Sequence, residues 1–76
     1  MPKVFSQNGF DFYIYLKDHE PPHVHVFKGG GMAKIVIGTT LTLAQNNLKR
    51  QEIKSAKKLT RENEVFLMQK WREING

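Results

Sequence analysis

Apolar and polar residues alternate along the first half of the chain and recur at helical spacing in the second half, which predicts strands followed by helices. A brief extended segment at 3–5 leads into a turn at Ser6-Gln7-Asn8-Gly9. Residues 10–16 then alternate, with Phe10, Phe12, Ile14 and Leu16 on one face and Asp11, Tyr13 and Tyr15 on the other. Pro21 and Pro22 break the pattern, because proline has no N–H to donate and restricts the residue before it; 18–22 reads as a rigid turn. An extended run resumes at 23–28, Gly29-Gly30-Gly31 supplies a hairpin loop, and 32–37 returns with Ala33, Ile35 and Ile37 on one side.

Between 38 and 47 the pattern weakens. Residues 39–43 are β-prone enough for a short strand, while Asn46 and Asn47 suit a turn and a helix N-cap. One helix is expected at about 48–59, with Leu48, Ile53, Ala56 and Leu59 turned inward. A second is expected at about 61–75, capped by Thr60, with Glu62 and Glu64 in its first turn, where the macrodipole favours acids. It draws its buried side chains from Val65, Leu67, Met68, Trp71 and Ile74, and Phe66 reads as core beside Trp71, Phe10 and Phe12. The expected fold is α+β: a small antiparallel sheet of three to four strands within residues 3–37, and two C-terminal helices packed on one face. It forms a single domain over residues 1–76.

Composition adds exclusions. With no cysteine, a disulfide framework, a thiolate zinc site, an iron–sulfur cluster and a thiol nucleophile are all ruled out. No apolar run of signal or membrane-spanning length follows the opening Met1-Pro2-Lys3, so a cytoplasmic protein without membrane contact is expected. Twelve Lys and Arg against seven Asp and Glu give a net charge of +5, which favours acidic partners. The excess is uneven, since residues 49–76 hold eight of the basic residues and four of the acids. Arg50, Lys54, Lys58 and Arg61 recur along one helical stripe, with Lys49 and Lys57 at its margin. Such a stripe can track the phosphates of RNA or DNA, satisfy an acidic protein, or simply face solvent. No helix-turn-helix spacing or RNP-like aromatic motif accompanies it, and the glycine run lacks the Gly-Lys-Ser/Thr ending of a phosphate loop.

All three histidines, His19, His23 and His25, fall within seven residues, beside Asp18, Glu20 and two prolines. If 23–28 is a strand, His23, His25 and Phe27 share one face and Val24 and Val26 the other. Alternation puts Tyr13 and Tyr15 on the histidine face, where they would stack nucleic-acid bases or close a homodimer.

The run Asp18-His19-Glu20-Pro21-Pro22-His23-Val24-His25-Val26, the glycine loop after it and Ala33-Lys34-Ile35-Val36-Ile37 resemble the bacterial family known as domain of unknown function 4160. The resemblance extends to the closing helical segment with its tryptophan, Trp71; the glycine run and the strongly basic first helix depart from the family's more acidic C-terminal half. Similar proteins are often encoded beside another small protein in arrangements like toxin–antitoxin pairs, which implies a small protein partner and nucleic acid.

Three functions are open on these residues. One is an interaction protein of a toxin–antitoxin-like module, using Lys49, Arg50, Lys54, Lys57, Lys58 and Arg61, with Tyr13 and Tyr15, to bind its partner or nucleic acid. The second is a metal-independent ribonuclease with His23 and His25 as acid and base, aided by His19 or by Lys28 or Lys34 on the phosphate. The third is a structural module in which the histidines only anchor the turn. No cofactor is expected; a metal, if one bound, would take His23, His25 and Asp18.

Overall fold

The structure is a computed structural model and describes residues 3–76; Met1 and Pro2, part of the domain expected over 1–76, lie outside them. Five strands form one antiparallel sheet in chain order: β1 (Lys3–Gln7), β2 (Phe10–Tyr13), β3 (His23–Lys28), β4 (Gly31–Val36) and β5 (Thr42–Asn46). Two helices follow, α1 (Arg50–Glu62) and α2 (Glu64–Asn75). Two-residue turns at Asn8-Gly9 and Gly29-Gly30, with Asn8, Gly9 and Gly29 at positive φ, join β1 to β2 and β3 to β4.

The alternation read in the sequence decides which face of the sheet is covered. Phe10, Phe12, Ile14, Val24, Val26, Ala33, Ile35 and Ile37 form one buried cluster with Ala56 and Leu59 of α1 and Leu67 and Trp71 of α2. Leu67 and Trp71 are four residues apart, so one stripe of α2 meets the sheet. In the register, Phe12 pairs with Val26 and Val26 with Ala33 on the covered face, while Tyr13 pairs with His25 and His25 with Lys34 on the opposite face.

The fold class agrees with the sequence reading, and several details are corrected. The sheet has five strands rather than three to four, because β4 gains a partner in β5, with Ile35 opposite Thr42 and Met32 opposite Asn46. β2 stops at Tyr13, the chain turns at Leu16 and Lys17, and Leu16 is left 66% exposed instead of joining the apolar face. Gly31 belongs to β4, where a Cβ would run into the Asn47 carbonyl and Leu48 Cδ2, 2.6 Å away. Asn47, at positive φ in this close approach, does not cap α1; Lys49 holds the N-cap position, and its N–H donates to Glu52 Oε1 at 2.8 Å.

Thr60 does not separate the helices either. Its buried hydroxyl donates to the Ala56 carbonyl at 2.8 Å, one turn back within α1, and Asn63 caps instead, with Nδ2 donating to the Leu59 carbonyl at 2.9 Å. Beginning α2 at Glu64 rotates Val65 outward to 82% exposure. Phe66 is likewise exposed, lying 6.2 Å from Phe5 with Lys70 Nζ 5.6 Å from its ring centre. No helix of the described residues is long and apolar enough to cross a membrane.

Candidate functional site

The first residue of β3 and the loop before it bring three polar side chains together. His23 Nε2 lies 3.0 Å and His25 Nε2 3.1 Å from the same Asp18 oxygen, Oδ2. Their two-residue spacing puts both imidazoles on one strand face, as alternation requires. Asp18 reaches them from a loop pinned to the far end of the chain. Asn75, the last residue of α2, accepts from the Asp18 backbone N–H at 3.0 Å and donates Nδ2–H to the Tyr15 carbonyl at 3.1 Å. The other carboxylate oxygen, Oδ1, accepts from the His19 backbone N–H at 3.0 Å. Glu20–Pro21 is a cis peptide bond within the same loop.

Burial divides the two imidazoles. The His23 side chain is 4% exposed, with Trp71 5.4 Å away on one side and His25 5.1 Å away on another. His25 keeps 14% exposure and Asp18 18%, and the Tyr15 ring meets His25 edge-on at 4.5 Å. Tyr13 stacks on Tyr15 at 6.1 Å, and Phe27 meets Tyr13 edge-on at 5.4 Å. Lys34 stands directly across the ladder from His25. The face away from the helices therefore carries aromatic rings, one lysine and the outer edge of the His–Asp cluster.

The hydrogen bonds assign most of the protons. The Pro21 carbonyl can only accept, so His23 Nδ1, 2.8 Å from it, carries a hydrogen and donates. In a neutral ring that leaves Nε2 as a lone pair. Although Nε2 is 3.0 Å from Asp18 Oδ2, the approach is not aligned for a hydrogen bond, and this buried nitrogen has no hydrogen-bond partner. His25 differs, since its Nε2 makes a well-formed hydrogen bond to Oδ2, donating to the carboxylate.

Partial burial would by itself raise the Asp18 pKa, but the hydrogen bonds from His25 and from the His19 N–H, with the nearby imidazoles, hold it below the ordinary carboxylate value. Burial pushes His25 below the ordinary histidine value, with His23 and Lys34 adding to the shift and Asp18 opposing it. Tyr15 is pushed up, by burial first and then by Tyr13 and Asp18.

The structure thus joins His23, His25 and Asp18, with Tyr13 and Tyr15 beside them, and leaves His19 outside. The donor atoms of Asp18, His23 and His25 lie within 4.8 Å of one another, whereas His19 is exposed and touches the group through its backbone. Lys28 is elsewhere, 4.6 Å from the Phe10 ring centre. Lys49, Arg50, Lys54, Lys57, Lys58 and Arg61 line α1, in the helical layer on the other side of the sheet from His25. A shallow hollow lies among Lys54, Ser55, Lys57, Lys58 and Arg61. None of the six enters an ion pair among the described residues. Two participants were missing from the sequence reading. Trp71 was assigned only to the core, and Asn75 carried no signal, because an asparagine before a final glycine reads simply as a helix end.

A two-histidine, one-carboxylate centre at the end of an antiparallel sheet, set beside an aromatic face, is the class of site this fold defines. The family model for Domain of unknown function (DUF4160) matches residues 9–72, and the chain belongs to that family. The match takes in β2 to β5, the histidine turn, α1 and most of α2, ending short of Asn75, in agreement with the resemblance read from Asp18–Val26. No curated protein and no solved structure matches the chain.

Proposed function

We propose that the chain cleaves RNA at the Asp18–His23–His25 centre, with the substrate lying on the aromatic face of the sheet. The observation that carries this reading is the His25–Asp18 hydrogen bond at 3.1 Å on a face where Lys34, Tyr13 and Tyr15 stand alongside. A carboxylate that accepts from Nε2–H fixes the imidazole orientation and leaves Nδ1 as the basic nitrogen. That nitrogen takes the proton of a ribose 2′-hydroxyl, the 2′-oxygen attacks phosphorus, and the 5′-oxygen leaves with a proton from solvent. Lys34 offsets the charge that builds on the phosphate, and Tyr13 and Tyr15 offer rings for base stacking. His23, at 4% exposure, does not meet the substrate, and Asn75 and the His19 N–H hold Asp18 in place.

The α1 stripe supports a binding role beside this one. Six basic side chains that enter no ion pair among the described residues form a surface suited to an acidic protein or to phosphates, in the helical layer. In a two-protein module of the toxin–antitoxin kind, this chain is the RNA-cleaving half, and α1 is the surface that meets its small partner. The test is labelled single-stranded RNA incubated with wild-type protein and with His25→Ala, run on denaturing and native gels. Fragments from the wild type and none from folded His25→Ala support the reading. Equal fragmentation by both proteins, or intact RNA with both, removes it.

A further inference from the structure

The unpartnered nitrogen of His23 points to a ligand that the acid–base reading does not use. Nδ1–H donates to the Pro21 carbonyl at 2.8 Å, and in the neutral ring Nε2 then presents a lone pair, buried and without a hydrogen-bond partner among the described residues, 3.0 Å from an anionic oxygen. Two lone pairs facing each other in a site this dry repel, and a buried unsatisfied polar atom is costly. A cation between them removes both penalties. We propose that Asp18 Oδ2, His23 Nε2 and His25 Nε2, the last once its proton has passed through solvent to Nδ1, bind a borderline divalent transition metal of the zinc class.

Spacing, donor chemistry and the surrounding hydrogen bonds all support it. The three donor atoms lie within 4.8 Å of one another, and the two His–Asp separations are 3.0 and 3.1 Å. Donors held at about 2.0–2.1 Å around one tetrahedral ion stand roughly 3.3–3.4 Å apart, so both His–Asp separations need widen only slightly to admit the ion. Two imidazoles and a carboxylate suit zinc and its neighbours in the first transition row, whereas magnesium and calcium take oxygen donors. The Pro21 carbonyl on His23 Nδ1 is the outer hydrogen bond that orients a metal-ligating imidazole. Asn75 and the His19 N–H hold the Asp18 loop in the same way. Three protein donors leave a coordination position open, and the partial exposure of His25 and Asp18 is where a water or a substrate oxygen reaches it.

The inference shares its residues with the cleavage reading but not its premise. With the ion bound, a metal-held water replaces His25 as the base; without RNA cleavage, the ion still binds. The test titrates the metal-stripped full-length protein with Zn²⁺ by calorimetry, and with Co²⁺ by its visible absorption. Binding at one site per chain is expected, with the melting temperature rising by on the order of 10 °C at a hundredfold excess over Kd. His25→Gln and Asp18→Asn should each weaken binding by at least about 100-fold, and His19→Ala should leave it unchanged. Asp18→Asn keeps the test open should His25→Gln fail to fold. Equal zinc affinity in wild type and Asp18→Asn overturns the proposal, as does a loss in His19→Ala as large as that in Asp18→Asn. One-site zinc binding with RNA left intact keeps the metal and removes the nuclease. RNA fragments that persist in EDTA, from a protein without zinc affinity, do the reverse.

Discussion

Along β3, neighbouring residues enter two different environments. Val24 and Val26 are fully buried among Phe12, Ala33 and Ile35 beneath the helices, while His23 and His25 share a single carboxylate at the end of the sheet, His23 against Trp71 and His25 beside Tyr15. On the covered side burial asks only for volume, and any apolar side chain of the right size satisfies it. On the histidine side burial asks for partners. Asp18, Pro21 and Asn75 supply most of them, yet His23 Nε2 is left without one. The valines of β3 therefore answer to volume, and its histidines to hydrogen-bond partners.

Replacing a large side chain on the covered face gives the biggest effect. Phe12→Ala is expected to cost about 3–5 kcal/mol in urea unfolding, comparable with the whole stability of a domain this small, so the variant should be largely unfolded. On the other face, Asp18→Asn should cost about 1–3 kcal/mol while abolishing RNA cleavage in a folded protein. If Asp18→Asn destabilises as much as Phe12→Ala, the comparison fails and the polar cluster is only core. Asn75→Ala, which removes both hydrogen bonds to the Asp18 loop, should cost about 1–2 kcal/mol and lower cleavage severalfold without touching substrate.

Legibility in the sequence follows the same division. The apolar face could be read because alternation is local: Phe10, Phe12, Val24, Val26, Ala33 and Ile35 all lie where period two places them. The grouping of His23 with His25, and of Tyr13 with Tyr15 beside them, was legible for the same reason. What escaped depends on distant contacts. The short strand expected at 39–43 lies at 42–46 because that is where it pairs with β4, Leu16 leaves the apolar face because it sits in the turn, and Val65 and Phe66 swing outward because α2 starts at Glu64. Asn75 meets Asp18 across most of the chain, a separation no periodicity encodes.

Smaller effects sharpen the contrast. In EDTA, stability should fall as pH drops below about 6.5, the ordinary histidine value, because folded His25 takes up its proton less readily than the unfolded chain does. Asp18 acts in the same direction lower down: its contribution is complete above its ordinary 3.8 and is lost below that. Thermal melts across this range, repeated on His25→Gln, should show a shallower upper limb in the variant; an unchanged limb would separate the acid response from His25. Smallest of all, Lys54→Ala with Lys58→Ala should move stability by no more than about 0.5 kcal/mol, yet flatten the salt dependence of partner or RNA binding. An unchanged slope takes α1 out of the interface.

The proton on His23 tests the account most directly. Imidazole ¹⁵N–¹H correlation spectra of the metal-free protein should show the neutral His23 ring with its hydrogen on Nδ1 rather than Nε2. That is the tautomer fixed by the Pro21 carbonyl, with its lone pair turned to Asp18. A neutral His23 with its hydrogen on Nε2 would contradict it, because that nitrogen would then donate to Asp18 and offer no lone pair to a metal.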